Sequence, residues 1–127
     1  MGYMCHHAIV VTSWNEKAIQ LAHQKATEIF SKPNMFGKFV MISPIITSPT
    51  NGYSSFFIPP DGSKEGWDES YKGDSNRDEF VDWLNSQRYE DSSSPFSWAE
   101  IQYGDEDGDN RITRNNRDFY HTKDDDE

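Results

Sequence analysis

The first part of the chain passes from a strand-like to a helix-like pattern of apolar positions. Residues 6–12, HHAIVVT, are β-branched and nearly continuously apolar, which is typical of a central strand buried on both faces. Ser13 and Glu16 then match a capping box, which predicts that a helix starts here. Apolar residues at helical spacing predict one face of this helix that packs on a sheet; they are Ile19, Ala22, Ala26, Ile29 and Phe30.

Two extended segments joined by a turn follow this helix. Residues 39–42 and 45–47 resume a strand-like pattern, but Pro44 lies between them and favours an edge strand or a bulge. Residues 48–52, SPTNG, are a strong turn signal, and residues 53–58, YSSFFI, are rich in strand formers. Together these segments predict a β-hairpin.

The second half of the chain predicts a loop, a helix and a strand. Residues 61–74, DGSKEGWDESYKGD, are interrupted by glycine and predict a long loop. Ser75 is predicted to cap a second helix that runs to about Arg88 and packs through Phe80, Val81 and Leu84. Residues 96–103, FSWAEIQY, alternate apolar and polar side chains with the period of a strand.

This order of elements predicts an α+β fold. The sequence β-α-β-β-α-β, with an extra C-terminal strand at 111–114 left open, favours a two-layer sandwich of ferredoxin-like type. With 127 residues, the chain suits a single domain over 1–115. Residues 116–127 are polar and end in an acidic run, so they are predicted to form a flexible tail.

The net charge of −10 is concentrated in the second half. Residues 1–60 carry four lysines and two glutamates, which leaves −12 for residues 61–127. Such a field repels nucleic acid and favours a basic partner, although solubility alone also explains it. The single cysteine, Cys5, and the lack of an apolar run at the N-terminus predict a cytoplasmic protein with no membrane contact.

The stretch GDEDGDNRIT at 104–113 is the one segment that resembles a metal site. It resembles an EF-hand loop over about nine residues through Asp105, Asp107 and Asp109, but Asn116 stands where a bidentate glutamate normally closes the site. The favoured alternative is a β-hairpin tip in which residues 107–108 make the turn and the aspartates face water. Weak calcium binding is left open.

Other chemical motifs are missing from the sequence. His6 and His7 are adjacent on a predicted strand and therefore point to opposite faces, so they do not form a metal site together. The chain contains no pair of His-x-Thr motifs, no phosphate-binding glycine loop and no Gly-x-Ser-x-Gly elbow. We therefore predict a protein that is not an enzyme and needs no cofactor.

Aromatic and basic residues near the predicted loop suggest a ligand pocket instead. Their composition suits stacking on a planar ring and holding an anion, as a protein that sequesters a nucleotide-like signal would require. The residues are Tyr53, Lys64, Trp67, Tyr71 and Arg77.

Three runs of the sequence resemble a small acidic family of tailed phages and prophages. They are CHHAIVVTSW, NGYSSFFIPPDGSKEGWDES and RDEFVDWLNSQRYEDSSSPFSWAEIQYGDEDGD, whereas KPNMFGKFVMI departs from the pattern. The family has no established activity, so the resemblance implies only a context, host takeover or anti-defence in the cytoplasm of a host cell. The leading hypothesis is an inhibitor that binds a basic surface of a host or defence protein, with homo-oligomerisation left open. The carboxylates predicted to bind that surface are Asp78, Glu79, Asp82, Asp105, Asp107 and Asp109.

Overall fold

The protein folds into two layers, a sheet and a pair of helices. The computed structural model describes residues 6–33, 39–62, 68–104 and 110–116. Within these ranges the elements follow one another in the order β1 (His6–Ser13), α1 (Glu16–Phe30), β2 (Ile46–Thr47), β3 (Ser54–Ile58), α2 (Asp68–Ser86), β4 (Ser97–Tyr103) and β5 (Arg111–Asn115). The α+β class is as predicted, and so is the order of the elements with the extra C-terminal strand.

The sheet is antiparallel and has the strand order β2-β3-β1-β4-β5. β1 lies in the centre, as predicted, where Ile9 pairs with Ile58 of β3 on one side and with Glu100 of β4 on the other. β2 and β5 are the edges of the described sheet. The edge position that Pro44 predicted for the second strand is therefore confirmed.

The core lies between the sheet and the two helices. All five apolar residues that predicted the packing face of α1 are buried. β1 and β3 contribute alternate residues such as Ile9 and Phe56. Phe80 of α2 is completely buried, and its ring centroid lies 6.1 Å from that of Phe30, 6.5 Å from that of Phe56 and 6.2 Å from that of Trp83. Phe80 thus joins both helices to β3.

Only one face of the sheet is covered by the helices of the described residues. Ile9 and Val11 of β1 point toward the helices and are buried, whereas Val10 and Thr12 point to the other side and are half-buried. Thr12 Oγ1 lies 2.8 Å from Ser55 Oγ on that outer side. The prediction that β1 is buried on both faces is wrong at Val10 and Thr12, because both helices pack on the other side of the sheet, but it holds at Ala8, which shares their side and is 2% exposed.

The start of α1 differs from the predicted capping box. Asn15 is the N-cap, and its Oδ1 accepts a hydrogen bond from the amide of Ala18 at 3.1 Å. Ser13 instead ends β1, where its hydroxyl donates to the carbonyl of Pro95 at 2.6 Å and accepts from the amide of Asn15 at 3.0 Å. The capping box is wrong because the Ser13 side chain holds the loop before β4.

The hairpin of β2 and β3 is confirmed, but its first strand is short. Asn51 and Gly52 have φ angles of 65° and 69°, the left-handed conformation that asparagine and glycine adopt most readily, and the amide of Ser48 closes the loop by donating to the carbonyl of Tyr53 at 2.7 Å. Residues 39–45 are not a strand, although Ser43 within this segment accepts a hydrogen bond at its Oγ from the amide of Phe57 at 2.8 Å. Pro44 has no amide hydrogen to donate, so regular pairing begins only at Ile46.

The second helix is longer at its start than the sequence predicted. α2 begins at Asp68 rather than Ser75, so residues 68–74 belong to a helix and the predicted loop ends before them. Gly73 therefore lies inside a helix, where it lowers helix propensity by about 1 kcal/mol relative to alanine.

Neither helix in the described residues combines the length and apolar character that a membrane crossing needs.

A candidate ligand cavity at the end of the sheet

A cavity of about 490 Å³ lies where α1 and β3 end beside the first half of α2. Its apolar lining comes from the end of α1, the segment 39–41 and the end of β3, and includes Phe30, Phe39, Val40, Ile58 and Pro59. Its charged lining consists of Lys32, Lys72 and Arg77 with one carboxylate, Asp61. The cavity therefore combines an apolar wall with a cationic one.

These segments lie together because α1 and β3 stop at the same end of the sheet. α1 ends at Phe30, and the amide of Ser31 closes its last turn on the carbonyl of Thr27 at 3.1 Å. β3 ends at Ile58 because the two prolines that follow, Pro59 and Pro60, have no amide to continue the ladder. β3 runs antiparallel to β1, and α1 runs back along the sheet after β1. The last residues of β3 and of α1 therefore lie at the end of the sheet where β1 begins.

The charge of the cavity is opposite to that of the chain. Three of the eight lysines and arginines in the described residues line it, although the chain has a net charge of −10. Lys32 is exposed and its Nζ lies 3.8 Å from Glu79 Oε1 on the surface of α2. Arg77, in contrast, is buried. The cavity thus has an exposed cation at its rim and a buried one in its wall.

Gly73 allows a close approach between α2 and the segment after β3. A Cβ atom at this position would lie 2.5 Å from Asp61 Oδ2 and 3.3 Å from Arg77 Nη1. Any larger residue would push the Asp61 carboxylate away from the helix. This packing explains why α2 keeps a glycine inside a helix at a cost in propensity.

Arg77 is held in place by a buried ion-pair network around Glu100 of β4. Glu100 is only 4% exposed, and its Oε2 lies 3.5 Å from Arg77 Nε. Arg114 of β5 donates to both carboxylate oxygens, from Nε at 2.8 Å and from Nη2 at 2.9 Å, and Thr113 Oγ1 donates to Oε1 at 2.7 Å. Arg77 also pairs with Asp74 of α2. The network ties α2 to β4 and β5.

These contacts keep the Glu100 carboxyl ionised. Burial favours its neutral form and so raises its pKa, but the hydrogen bonds from Arg114 and Thr113 act in the opposite direction. The charges of Arg114 and Arg77 add to them, and the pKa of Glu100 lies below its ordinary value as a result. The hydrogen bond to Glu100 likewise raises the pKa of Arg114, despite its partial burial.

Of the three predicted ligand residues that lie in the described part of the chain, only one lines this cavity. Arg77 lines it, whereas Tyr53 precedes β3 at the opposite end of that strand and does not line it. Tyr71 is 63% exposed on α2 and does not line it either. Lys64 and Trp67 lie outside the described residues. The five residues therefore do not form the pocket that the sequence suggested in the part of the chain that is described.

The predicted partner-binding carboxylates divide into two groups. Asp78, Glu79 and Asp82 are exposed on α2, where Asp78 Oδ1 pairs with Arg114 Nη1 at 2.9 Å and Glu79 pairs with Lys32. Asp74 is exposed one helical turn before Asp78 and extends the same stripe. The remaining three, Asp105, Asp107 and Asp109, lie outside the described residues.

The flanks of the predicted calcium loop belong to a β-hairpin. Tyr103 ends β4 and Ile112 lies in β5, and these two strands pair antiparallel, as the hairpin interpretation predicted. Asn116 does not extend toward the loop, because its Oδ1 accepts from the amide of Trp98 at 3.3 Å and its Nδ2 donates to the carbonyl of Phe96 at 3.0 Å. The start of the predicted flexible tail is thus anchored to β4 at Asn116.

The histidines of β1 lie on opposite faces, as expected. The His6 ring packs against Tyr103 with centroids 5.3 Å apart, and His7 pairs in register with Gln102. Among the described residues no group of three or more histidine, cysteine, aspartate or glutamate side chains is placed to hold a metal ion.

Sequence reasoning missed most of the cavity. Lys32 was not singled out, although it follows directly on the last turn of α1. Pro59 and Pro60, which end β3, also form part of the lining and were not singled out. A signal was present in Gly73, because a glycine inside a helix often marks a close packing contact.

No family model, no curated protein and no solved structure matches this chain. The resemblance to a phage family therefore stays a prediction. A function has to be argued from the chain's own residues.

Proposed function

We propose that this protein is a non-catalytic binding protein that holds a small anionic ligand with a planar ring, of the mononucleotide kind, in the cavity between α1 and α2. The observation that carries this proposal is the cavity of about 490 Å³, lined by Lys32, Lys72 and Arg77 in a strongly acidic chain. Its volume falls in the range of about 300–1,000 Å³ that small-molecule sites occupy. By binding such a molecule, the protein sequesters a nucleotide-like signal.

The two walls of the cavity match the two parts of such a ligand. Phe39 is half exposed and, with Val40 and Pro59, offers apolar surface on which a planar base can rest. The three cations face an anionic group and supply charge-assisted hydrogen bonds. Arg77 is already oriented by Glu100, so little side-chain entropy is lost when a ligand binds to it.

The existing ion pair of Lys32 does not prevent this use of its charge. The pair between Lys32 and Glu79 is exposed and 3.8 Å long, and exposed pairs of this kind contribute about 1 kcal/mol or less. Lys32 can therefore turn toward a ligand at small cost. Asp61 is the one carboxylate among the described residues of the lining, and it limits how much negative charge the ligand can carry there.

Titration calorimetry with adenosine and guanosine monophosphates tests this proposal. We expect measurable binding of at least one of them, and at least about tenfold weaker binding by the double variant Lys32→Met, Lys72→Met, since each lost charged contact contributes about 1.5–3 kcal/mol. The matched control is the double variant Lys17→Met, Lys25→Met on α1, which removes the same charge from residues that do not line the cavity. Inorganic phosphate alone should bind more weakly than the nucleotides because it cannot use the apolar wall.

Two results would overturn the proposal. One is that neither nucleotide binds or raises the melting temperature at millimolar concentration, since a ligand specific for the folded state must stabilise it. The other is that the control variant Lys17→Met, Lys25→Met weakens binding as much as Lys32→Met, Lys72→Met does, because this would show that the nucleotide responds only to net charge.

A second candidate function is binding of a basic protein surface, which was the leading hypothesis from the sequence. The observation that favours it is the exposed stripe of Asp74, Asp78 and Asp82, spaced one helical turn apart on α2. A row of carboxylates at this spacing offers a rigid charged edge to a basic partner. Host takeover and anti-defence remain proposed roles that this second function would serve.

Salt-dependent binding to a lysine-rich model peptide tests the second function. We expect the double variant Asp78→Asn, Asp82→Asn to bind the peptide more weakly than the matched variant Glu16→Gln, Glu28→Gln, which removes the same charge from α1. Rising salt should weaken the wild-type complex because exposed charges are screened. Equal loss in both variants, or affinity that does not change with salt, would contradict a role for the stripe.

We also propose that the two layers form a ferredoxin-like sandwich with one added edge strand. The order of β1, α1, β2, β3, α2 and β4 along the chain supports this, and so does the position of β1 between β3 and β4. Amide-to-amide contacts across the strands, measured by NMR, test it. A map without contacts between β1 and β4 would contradict it.

A further inference from the structure

Asp61 lies between the apolar wall and the cationic wall of the cavity. It follows directly on Pro59 and Pro60, which come after the end of β3, and all three residues line the cavity. Its Oδ2 and Arg77 Nη1 both border the space beside Gly73, because a Cβ atom on this glycine would lie 2.5 Å from the first and 3.3 Å from the second. A group that reaches the Asp61 carboxylate therefore lies next to a cation of the site.

The backbone around Asp61 holds the carboxylate in this position. The rings of Pro59 and Pro60 fix their own φ angles, so the chain that leads to Asp61 has little conformational freedom. Gly62 follows with a φ angle of 80°, a left-handed conformation that glycine adopts without strain. On the other side the carboxylate packs against α2 at Gly73, where no side chain pushes it away. A ligand thus meets an acceptor that is already in place, which lowers the entropy lost on binding.

The order of the parts of a nucleotide assigns the sugar to this carboxylate. In the proposed complex the base rests on the apolar wall, the phosphate lies on the cations and the sugar joins the two. The sugar is therefore the neutral part of the ligand closest to the phosphate, and so to Asp61 beside Arg77. A carboxylate repels a phosphate group but accepts hydrogen bonds from hydroxyl groups. Its two oxygens offer about four acceptor positions, so Asp61 can keep a partner within the protein and still bind a hydroxyl.

We propose that Asp61 selects a ribonucleotide by accepting hydrogen bonds from the vicinal hydroxyl groups of its ribose. This inference rests on the proposed function and names the sugar that the cavity takes. Hydrogen bonds with a charged acceptor are about twice as strong as those between neutral groups. A 2′-deoxyribonucleotide lacks one of the two donors and turns a CH2 group toward the carboxylate, so the cavity holds it more weakly.

Titration calorimetry with matched pairs of nucleotides tests this inference. The wild type is titrated with adenosine and guanosine 5′-monophosphates and with their 2′-deoxy forms, which have the same base and the same charge. We expect a ribonucleotide to bind about five- to tenfold more tightly than its 2′-deoxy form, less than for a fully buried hydrogen bond because Asp61 is exposed. This ratio of affinities is the readout, since a purely structural role of Asp61 would change both affinities alike.

Two variants remove the charge of one aspartate each. In Asp61→Ala the two forms of a nucleotide should bind with nearly equal affinity. The matched control Asp82→Ala removes the same charge from an exposed position of α2 that does not line the cavity, and it should keep the wild-type ratio.

Gly73→Ala supplies a test that leaves the carboxylate in the chain. Its methyl group would occupy the space beside Asp61 Oδ2 and displace the carboxylate, so the ratio should fall although the net charge is unchanged. The substitution favours the helix, so the variant should fold. Any effect on Arg77 acts on both nucleotides of a pair, because they have the same phosphate, and leaves the ratio unchanged.

The outcomes separate this inference from the proposed function. If the ribo and 2′-deoxy forms bind the wild type equally well, Asp61 does not select the sugar, although the cavity still binds nucleotides. If Asp61→Ala changes the preference between the two bases and leaves the ratio unchanged, Asp61 contacts the base and the inference is wrong. An equal fall of the ratio in Asp61→Ala and Asp82→Ala would also contradict it. If no nucleotide binds, the proposed function fails and this inference fails with it.

Discussion

Replacing Glu100 with glutamine is expected to lower the free energy of unfolding by about 3–5 kcal/mol at pH 7, the usual cost of removing one partner from a buried ion pair. The substitution keeps the shape of the side chain but removes its charge. Arg77 is 7% exposed and would keep only its ion pair with the exposed Asp74 among the contacts described above, and Arg114 would lose its two-point contact. The loss follows from stranded positive charge rather than from lost packing.

Urea unfolding of the wild type and the variant measures this loss. The matched control is Asp78→Asn, which removes a carboxylate from the exposed end of the same network, where Asp78 Oδ1 lies 2.9 Å from Arg114 Nη1. Since exposed pairs contribute about 1 kcal/mol or less, this control should change stability little. Equal effects of the two substitutions would show that burial of Glu100 does not set the energy of the network.

The same variant should also change the pH dependence of stability. The pKa of Glu100 is lower in the folded state than in the unfolded chain, where a glutamate has a pKa of about 4.3. Its contribution is therefore fully present above that value and is lost as the pH falls through the lower folded pKa. The wild type should lose more stability than Glu100→Gln over this acidic range, and parallel curves would contradict the ion-pair explanation.

The Glu100 network also links the sheet to the proposed ligand site. Arg77 touches Glu100 on one side and lines the cavity on the other, so the position of its guanidinium is set from β4. Gly73 keeps Asp61 next to the same guanidinium. Loss of Glu100 is therefore expected to weaken nucleotide binding as well, through Arg77, even though Glu100 is not among the residues lining the cavity.

Sequence patterns predicted the parts of the fold that depend on local periodicity. The packing face of α1 was read from helical spacing, and all five of its residues are buried. The turn at Asn51 and Gly52 followed from the need for positive φ angles. β4 and β5 were predicted within one residue of their observed bounds, at Ser97–Tyr103 and Arg111–Asn115. In each case neighbouring residues determine the structure.

Predictions failed where a distant contact decides the local structure. Ser13 looked like a helix cap, but its hydroxyl is used by the carbonyl of Pro95. The segment 68–74 looked like a loop because of its glycine and polar residues, yet it begins α2. Gly73 is tolerated in that helix because Asp61 and Arg77 occupy the space beside it, and this arrangement is visible only after folding.

The candidate site was harder to predict than the fold because its residues come from separate elements. Arg77 was predicted because it is close in sequence to other aromatic and basic residues. Lys32 lies 45 positions away in the chain and joins it only because α1 and β3 stop at the same end of the sheet. Tyr53 and Arg77 are closer in sequence, yet β3 separates them. Proximity along the chain was therefore a poor guide to proximity in the cavity.

Replacing Phe80 with alanine is expected to cost about 3–5 kcal/mol, as large-to-small changes of a buried phenylalanine usually do. Phe80 is completely buried, and its ring contacts Phe30 of α1, Phe56 of β3 and Trp83 of its own helix. The substitution removes apolar contact and leaves a void among three elements that cannot all close on it. Phe30 also lines the ligand cavity, so the void loosens one of its walls.

Thermal and urea unfolding measure this cost, and Tyr71→Ala on the same helix is the matched control. Tyr71 is 63% exposed, so its removal should change stability by no more than about 0.5 kcal/mol. Because a domain of this size has only about 5–15 kcal/mol of stability in total, Phe80→Ala could unfold much of the sample, and Phe80→Leu supplies a milder step with a smaller loss. If Phe80→Ala cost no more than Tyr71→Ala, the packing of α2 on the sheet would have to depend on the Glu100 ion pairs rather than on this aromatic cluster.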